Sequence, residues 1–171
     1  GDEGMIAFGR AANDCGYVWS VHENYIDLYP DAPSYDETAC VLRANGAKSL
    51  AWYNPGTKVQ SFGLKCNRAR GFAEQNSPYI HKTYGTTAGY LDVHTCVPPW
   101  HQLDHQADQP MAAMCQAKVK YDGELFQYMR DTHGGPMFGE GANHFYWAGQ
   151  CDGVEAQVGG GEDHRPLLEL D

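Results

Sequence analysis

The sequence predicts an α/β fold built on a parallel sheet, and three observations carry that prediction. Short apolar segments rich in β-branched and aromatic residues recur along the chain. Each is followed by a polar loop, and stretches with helical periodicity, long enough to cross over a sheet, lie between them. Five segments have this strand character: residues 17–21, 49–53, 88–91, 136–139 and 164–171. A closed (β/α)8 barrel needs eight strands and typically about 250 residues. The expectation is therefore a partial TIM-type barrel of about five parallel strands with crossover helices, forming one domain over residues 1–171 that is incomplete at both ends. The first residue, Gly1, and a last strand with no crossover after it both suit a fragment. An open doubly wound sheet, which five strands would complete, is the alternative topology.

Taken in order, residues 5–15 read as the end of a helix stopped by Gly16, and residues 17–21 as the first strand. The stretch HENYIDLYPDAPSYDE that follows is too irregular for a regular element and too aromatic for a simple linker, the mark of an ordered loop with a function. The second strand, 49–53, leads through NPGTKVQSFGLK into a helix expected over residues 67–84. The third, 88–91, runs into Asp92-Val93-His94 and a loop containing Pro98-Pro99-Trp100. A long helix is expected from Pro110, a residue favoured in a first helical turn, to His133. On it Met111, Met114, Cys115, Val119, Leu125, Phe126 and Met129 recur mostly at the spacing of a core-facing stripe. Gly134-Gly135 stops that helix, and the fourth strand feeds directly into Glu140-Gly141.

Charge excludes some partners. Twelve Lys and Arg stand against 22 Asp and Glu, a formal net charge of -10, so the summed field repels phosphate backbones and anionic headgroups; neither a nucleic acid nor a membrane partner is expected. No apolar run approaches the roughly 20 residues that span a bilayer, and GDEGMIAFGRAANDCG lacks a basic stretch followed by an apolar one. The six cysteines include no CxxC pair, which argues against a zinc knuckle or redox motif, and most are expected to be buried free thiols. GEGANHFYW and GGGED have neither the spacing nor the lysine of a phosphate loop, and no cofactor is expected.

Working residues of parallel α/β folds gather at the carboxyl ends of the strands. That rule selects His22, Glu23 and Asn24 after the first strand, Asn54 after the second, Asp92 and His94 after the third, Glu140 after the fourth and Asp171 after the fifth. Two carboxylates converging from different strands suit glycosidic bond cleavage, where one donates a proton to the leaving oxygen and the other supports the developing positive charge. Asp92 and Glu140 fit that requirement. Aromatics and amides at the same end suit sugars, whose C–H faces stack on rings while their hydroxyls bond to amides and carboxylates. Tyr25, Trp52, Trp100 and Trp147 are expected as substrate contacts with His22, Glu23, Asn24, Asn54, His94 and Asp171, and Lys58 in NPGTKVQS is a further candidate. Two rival readings stand beside this one. Asp92, His94, His101 and His105 could hold a metal ion for a hydrolase, although the histidine spacing crosses a Pro-Pro turn and matches no common ligand motif. A non-catalytic carbohydrate-binding module would bind sugar without turnover, with the two carboxyls far apart.

The segments HENYIDLYPDAPSY, WYNPGTKVQSFGLK, GYLDVHTCVPPW, GPMFGEG and RPLLELD span most of the chain. In them the sequence resembles the middle of the catalytic barrel of glycoside hydrolases related to families 101 and 129, the α-N-acetylgalactosaminidase relatives. The resemblance implies a retaining mechanism on an α-linked sugar, with Asp92 as nucleophile, Glu140 as acid/base and a glycan or glycoside as substrate. It also implies a longer parent chain that supplies the remaining barrel strands and accessory domains, and by analogy an extracellular or periplasmic location.

Overall fold

Three helices and seven short strands form the computed structural model, which describes residues 2–155. Helix α1 (Asp2–Asp14) opens with Asp2 and Glu3, whose charges favour the positive end of the helix dipole. It lies close on Trp19 and on the end of α2 (Cys66–Tyr84), because a Cβ at Gly9 would come within 2.2 Å of the Tyr84 carbonyl and 2.5 Å of the Trp19 ring. Asn13 secures this corner, accepting from Trp19 Nε1 at 2.9 Å and donating to the Gly85 carbonyl at 2.9 Å. Helices α2 and α3 (Cys115–His133) pack against each other and end at Gly85 and, as expected, at Gly134, whose φ angles of 71° and 66° close left-handed caps.

One sheet is parallel throughout, in the order β1 (His22–Glu23), β5 (Gly89–Leu91), β6 (Met137–Glu140), β7 (Gly153–Glu155). Its outer side meets the two helices in a core containing Leu91, Leu125, Phe126, Met129, Met137 and Trp147. An antiparallel sheet, ordered β2 (Asp27–Leu28), β4 (Val59–Gly63), β3 (Leu50–Asn54), is inserted between β1 and α2.

This architecture bears out the partial barrel and corrects four details of the strands and helices. Residues 49–53 do not form a barrel strand. The segment overlaps β3 from Leu50 on, and β3 returns through four residues into β4, whereas a parallel neighbour requires a crossover of about a dozen residues or more. The first strand begins at His22 rather than at residue 17, although the Trp19 carbonyl accepts from Thr87 and Ala88 and keeps the approach alongside the chain entering β5. Strand β7 was not anticipated, and four parallel strands are present among the described residues; the segment at 164–171 lies outside them. The long helix starts at Cys115, not Pro110, because Met111 and Ala113 take φ of 58° and break the turn. All six cysteines are free thiols as expected, but Cys40 alone is fully buried. No helix among the described residues is long and apolar enough to cross a membrane.

Candidate active site

Pleating decides which side chains share a face of the parallel sheet. Register pairs His22 with Tyr90 and Tyr90 with Phe138, so these three lie on one face, while Glu23, Leu91 and Gly139 lie on the other. Two residues beyond Phe138, Glu140 returns to the first face, paired with Glu155 on β7. Asp92 follows directly on β5, and its N–H donates to the Glu23 carbonyl at 2.9 Å, prolonging the β1–β5 ladder by one bond.

The chain then turns sharply. The His94 N–H donates to the Asp92 carbonyl at 2.8 Å across Val93, whose φ is 66°. That three-residue turn is rare and strained for a β-branched residue. The Val93 N–H points at the second carboxylate and donates to Glu140 Oε2 at 2.9 Å. Glu140 is held at both ends, since its carbonyl accepts from the Thr95 hydroxyl and its carboxylate from the Cys96 thiol. Burial, the bond to Glu140 and the charges of Glu140 and Asp92 push the Cys96 thiol up to about 12.

Asp92 and Glu140 line one open cleft of about 670 Å³ together with Asn24, Asp27, Tyr29 and Trp52. Partial burial, then the neighbouring Glu140 charge, raise the Asp92 carboxyl above the ordinary aspartate range; His22 and the Asn24 amide work the other way and favour the carboxylate. Asn24 Nδ2 lies 3.5 Å from Asp92 Oδ2 and donates to Asp27 Oδ2 at 3.1 Å, while Asn24 Oδ1 accepts from the Ile26 and Asp27 N–H groups. Trp52, on the inserted sheet, is 61% exposed and lines the cleft. An enclosed cavity beneath, lined by His94, Asp104, Lys118 and Asp122 among others, has only about 30 Å³ and is too small for a sugar ring.

Of the residues selected from sequence, Asp92, Glu140, Asn24 and Trp52 meet at this cleft, and His22 stands beside it, stacked on Tyr90 at 4.3 Å. Others lie elsewhere. Glu23 points away through the sheet and is 4% exposed, accepting from the hydroxyls of Tyr25 and Ser77 and lying 3.3 Å from His133 Nε2. Tyr25, raised in pKa by burial and by Glu23, belongs to the same buried group. His94 is 1% exposed with Nδ1 3.3 Å from Asp122 Oδ2, and Trp147 is a core residue with no exposed surface. Asn54 and Lys58 form the β3–β4 turn, where Asn54 Oδ1 accepts from Gly56 and Thr57 and Lys58 takes a φ of 60°. Trp100 is exposed against Tyr146, with ring centroids 5.1 Å apart. Asp171 lies outside the described residues. The metal reading of Asp92, His94, His101 and His105 fails on geometry, because among the described residues no three His, Cys, Asp or Glu side chains are grouped to hold an ion. Asp92 and Glu140 line the same cleft, whereas the non-catalytic reading expects their carboxyls far apart.

Three site residues escaped the sequence reading. Glu155 ends β7 and accepts from the Tyr90 hydroxyl at 2.5 Å; the short GVE strand was its signal. Asp27 approaches the carboxylate pair from the start of β2 in the inserted sheet and Cys96 from a loop, and the strand-end rule gives no cue to either.

No family model matches the chain, and comparison with curated proteins finds no match. Solved structures do match. The chain is similar to α-N-acetylgalactosaminidase NagBb from Bifidobacterium bifidum, at 23% identity and a TM-score of 0.66 in the GalNAc complex, over 82% of this chain and 22% of that one. The ligand-free form of that protein gives 21% identity and a TM-score of 0.69 over 85% and 23%. The α-galactosidase TtGalA from Thermus thermophilus in complex with stachyose gives 13% identity and a TM-score of 0.59 over 88% and 30%. The chain thus spans between about a fifth and a third of the length of the structures it matches. With its parallel strands, crossover helices and these neighbours, the chain has the fold of part of a (β/α)8 barrel of the kind found in α-glycosidases.

Proposed function

We propose that the chain is part of a retaining glycoside hydrolase acting on α-linked sugars, with Asp92 as nucleophile and Glu140 as acid/base. One observation carries the reading: two carboxylates from adjacent parallel strands line a single cleft, close enough for the charge of one to raise the pKa of the other. Glycosyl transfer uses the pair with one carboxyl protonated and the other ionised. Asp92 attacks the anomeric carbon while Glu140 gives its proton to the departing oxygen, leaving a glycosyl ester on Asp92. Glu140, now a carboxylate, takes a proton from water as that water attacks the same carbon. The ester bond breaks, Asp92 leaves as carboxylate, and two inversions give net retention.

Surroundings support this assignment. Partial burial and the Glu140 charge raise the Asp92 carboxyl on balance, while His22 and the Asn24 amide oppose that rise and so work towards the carboxylate a nucleophile needs. The cleft of about 670 Å³ falls in the range of about 300–1,000 Å³ typical of small-molecule sites, and Trp52 offers a stacking face. The names of the matched structures, an α-N-acetylgalactosaminidase and an α-galactosidase, make α-N-acetylgalactosaminides the first substrates to try. The catalytic domain extends beyond residues 1–171, so that other barrel strands and accessory domains of the parent chain complete the site, and its glycans are extracellular or periplasmic. In the full-length protein, Asp92→Asn should abolish release of 4-nitrophenol from its α-N-acetylgalactosaminide, and NMR of the wild-type reaction should record the α-anomer as first product. Normal turnover by the variant would remove Asp92 as nucleophile, and a β-anomer formed first would remove retention.

A further inference from the structure

We infer that His94, buried against Asp122 and Lys118 of α3, is a positioning residue that locks the strained turn at Val93 and so fixes Asp92 in the cleft and in register with Glu140. The inference rests on the assignment of Asp92 as nucleophile.

Val93 is the sole residue between Asp92 and His94, and its φ of 66° is a conformation that a β-branched side chain keeps only when its surroundings impose it. Two contacts can impose it. On the cleft side the Val93 N–H donates to Glu140 Oε2 at 2.9 Å. On the helix side the His94 ring passes under the sheet, 1% exposed, with Nδ1 3.3 Å from Asp122 Oδ2 and an edge-on contact to Phe126 at 6.3 Å between centroids. Asp122 has no exposed surface and is joined one helical turn away by Lys118, whose Nζ donates to Asp122 Oδ2 at 2.7 Å. A buried carboxylate, ammonium and imidazole together are an expensive way to fill space, since apolar side chains of similar volume would serve stability as well or better. Here they set the imidazole, 3.3 Å from Asp122 Oδ2, against a charged pair on a helix packed into the core. If the His94 ring swings away, the turn is released to a relaxed φ, the Val93 N–H leaves Glu140, and the Asp92 carboxyl loses its place.

The test uses the full-length protein. His94→Leu removes the anchor while leaving Asp122 paired with Lys118. It should lower kcat on the 4-nitrophenyl glycoside by about 10–100-fold, the order expected when a reacting group is displaced by about 1 Å. KM should stay within about threefold, because the sugar contacts lie across the cleft. Covalent trapping of Asp92 by an activated fluoro-sugar should slow in parallel, and His94→Gln, whose amide reaches towards Asp122, should recover part of the rate. Asp122→Asn, which keeps the volume of the partner, should give the same pattern and serves as the second readout if His94→Leu accumulates poorly. A His94 or Asp122 variant that melts at lower temperature yet keeps the parent kcat while folded overturns the inference and leaves the ring a stabilising residue only. Asp92→Asn run alongside separates the two levels: if it still turns over, the nucleophile assignment is what fails. If it is inactive while His94→Leu is fully active, the positioning role alone fails.

Discussion

Two glycines in tight quarters, Gly135 just before β6 and Gly139 near its carboxyl end, separate the stability of the barrel from its chemistry when each is replaced by alanine. At Gly139 an added Cβ would stand 2.3 Å from Thr95 Oγ1 and 2.8 Å from Thr95 Cγ2, about 1 Å short of ordinary contact at 3.4 Å. Thr95 is fully buried, and its hydroxyl holds the Glu140 carbonyl, so the displacement passes directly to the acid/base. At Gly135, just before β6, the added Cβ would stand 1.8 Å from the Thr87 carbonyl and force apart the chains that enter β5 and β6. Overpacking of this kind costs about 1–3 kcal/mol, and both variants should lose roughly that in urea unfolding. Their kinetics should part. A shift of about 1 Å in a catalytic group costs on the order of 10²-fold in rate, or about 2.7 kcal/mol in transition-state stabilisation, so Gly139→Ala should lose about that factor in kcat. Gly135→Ala, at the amino end of the strand, should keep kcat within about threefold at temperatures where it is folded, in line with the division of barrel strands into a stability end and a working end. Equal losses of kcat in both variants, or full activity in Gly139→Ala, would refute the reasoning.

Glu23→Ala should cost about 3–5 kcal/mol, because it strips a buried carboxylate from Tyr25, Ser77 and His133; thermal unfolding measures it, and a raised KM with unchanged melting would return Glu23 to the sugar site. Asp122 bears on acid stability. Burial raises its carboxyl pKa, but Lys118 and His94 outweigh burial and the net direction is down. A depressed folded value means the contribution is present above the unfolded pKa of about 3.9 and is lost as pH falls through the folded one. The gap in urea midpoint between the parent and Asp122→Asn should therefore narrow below about pH 4, and a gap constant from pH 3 to 7 contradicts the sign. Glu140→Gln removes the charge that helps raise Asp92, so with an activated leaving group the acid limb of kcat/KM should move to lower pH; an unmoved limb uncouples the two carboxyls.

Much of this was legible in residues alone, and the failures share causes. Gly85 and Gly134 stop their helices because each must take a positive φ that few other residues adopt, and that constraint is written in the sequence. The apolar segments entering Asp92 and Glu140 were placed within a residue or two because both strands run as unbroken apolar segments up to a polar residue. Residues 49–53 have the same apolar signature, and only the brevity of the PGTK turn after Asn54 marks them as half of a hairpin. At the site, the strand-end rule found Asp92 and Glu140 but gathered Glu23 with its neighbours. The two-residue period of a strand puts His22 and Asn24 on one face and Glu23 on the other, so parity would have sent Glu23 to the helix side. No local signal distinguishes Trp147 in the core from Trp52 in the cleft, since only the packing of α3 and the inserted sheet decides it.

The inserted sheet assigns the parts of the proposed site to separate structural units. Glu140, the proposed acid/base, ends a strand of the parallel sheet and Asp92, the proposed nucleophile, directly follows one, both backed by helices in a shared core, and rigid support suits groups that must meet a reacting carbon within a fraction of an ångström. Trp52 comes instead from β3, inside a register shift between Leu50 and Tyr53 where the ladder to β4 is broken. Such a bulge re-aims a side chain at the cost of backbone bonds, and side chains replace them here: Gln60 Nε2 donates to the Ala51 carbonyl at 2.9 Å and the Ser61 hydroxyl to the Trp52 carbonyl at 2.8 Å. The stacking face is thus held by Gln60 and Ser61, while the carboxylates are held by Val93, Thr95 and Cys96. Because the two sets of supports share no residue, the grip on the sugar can be altered through β3 and β4 while the carboxylate pair stays as it is. In the proposed hydrolase, a contact carried by the inserted sheet would set which glycoside enters, and the ends of the parallel strands would keep the chemistry done on it.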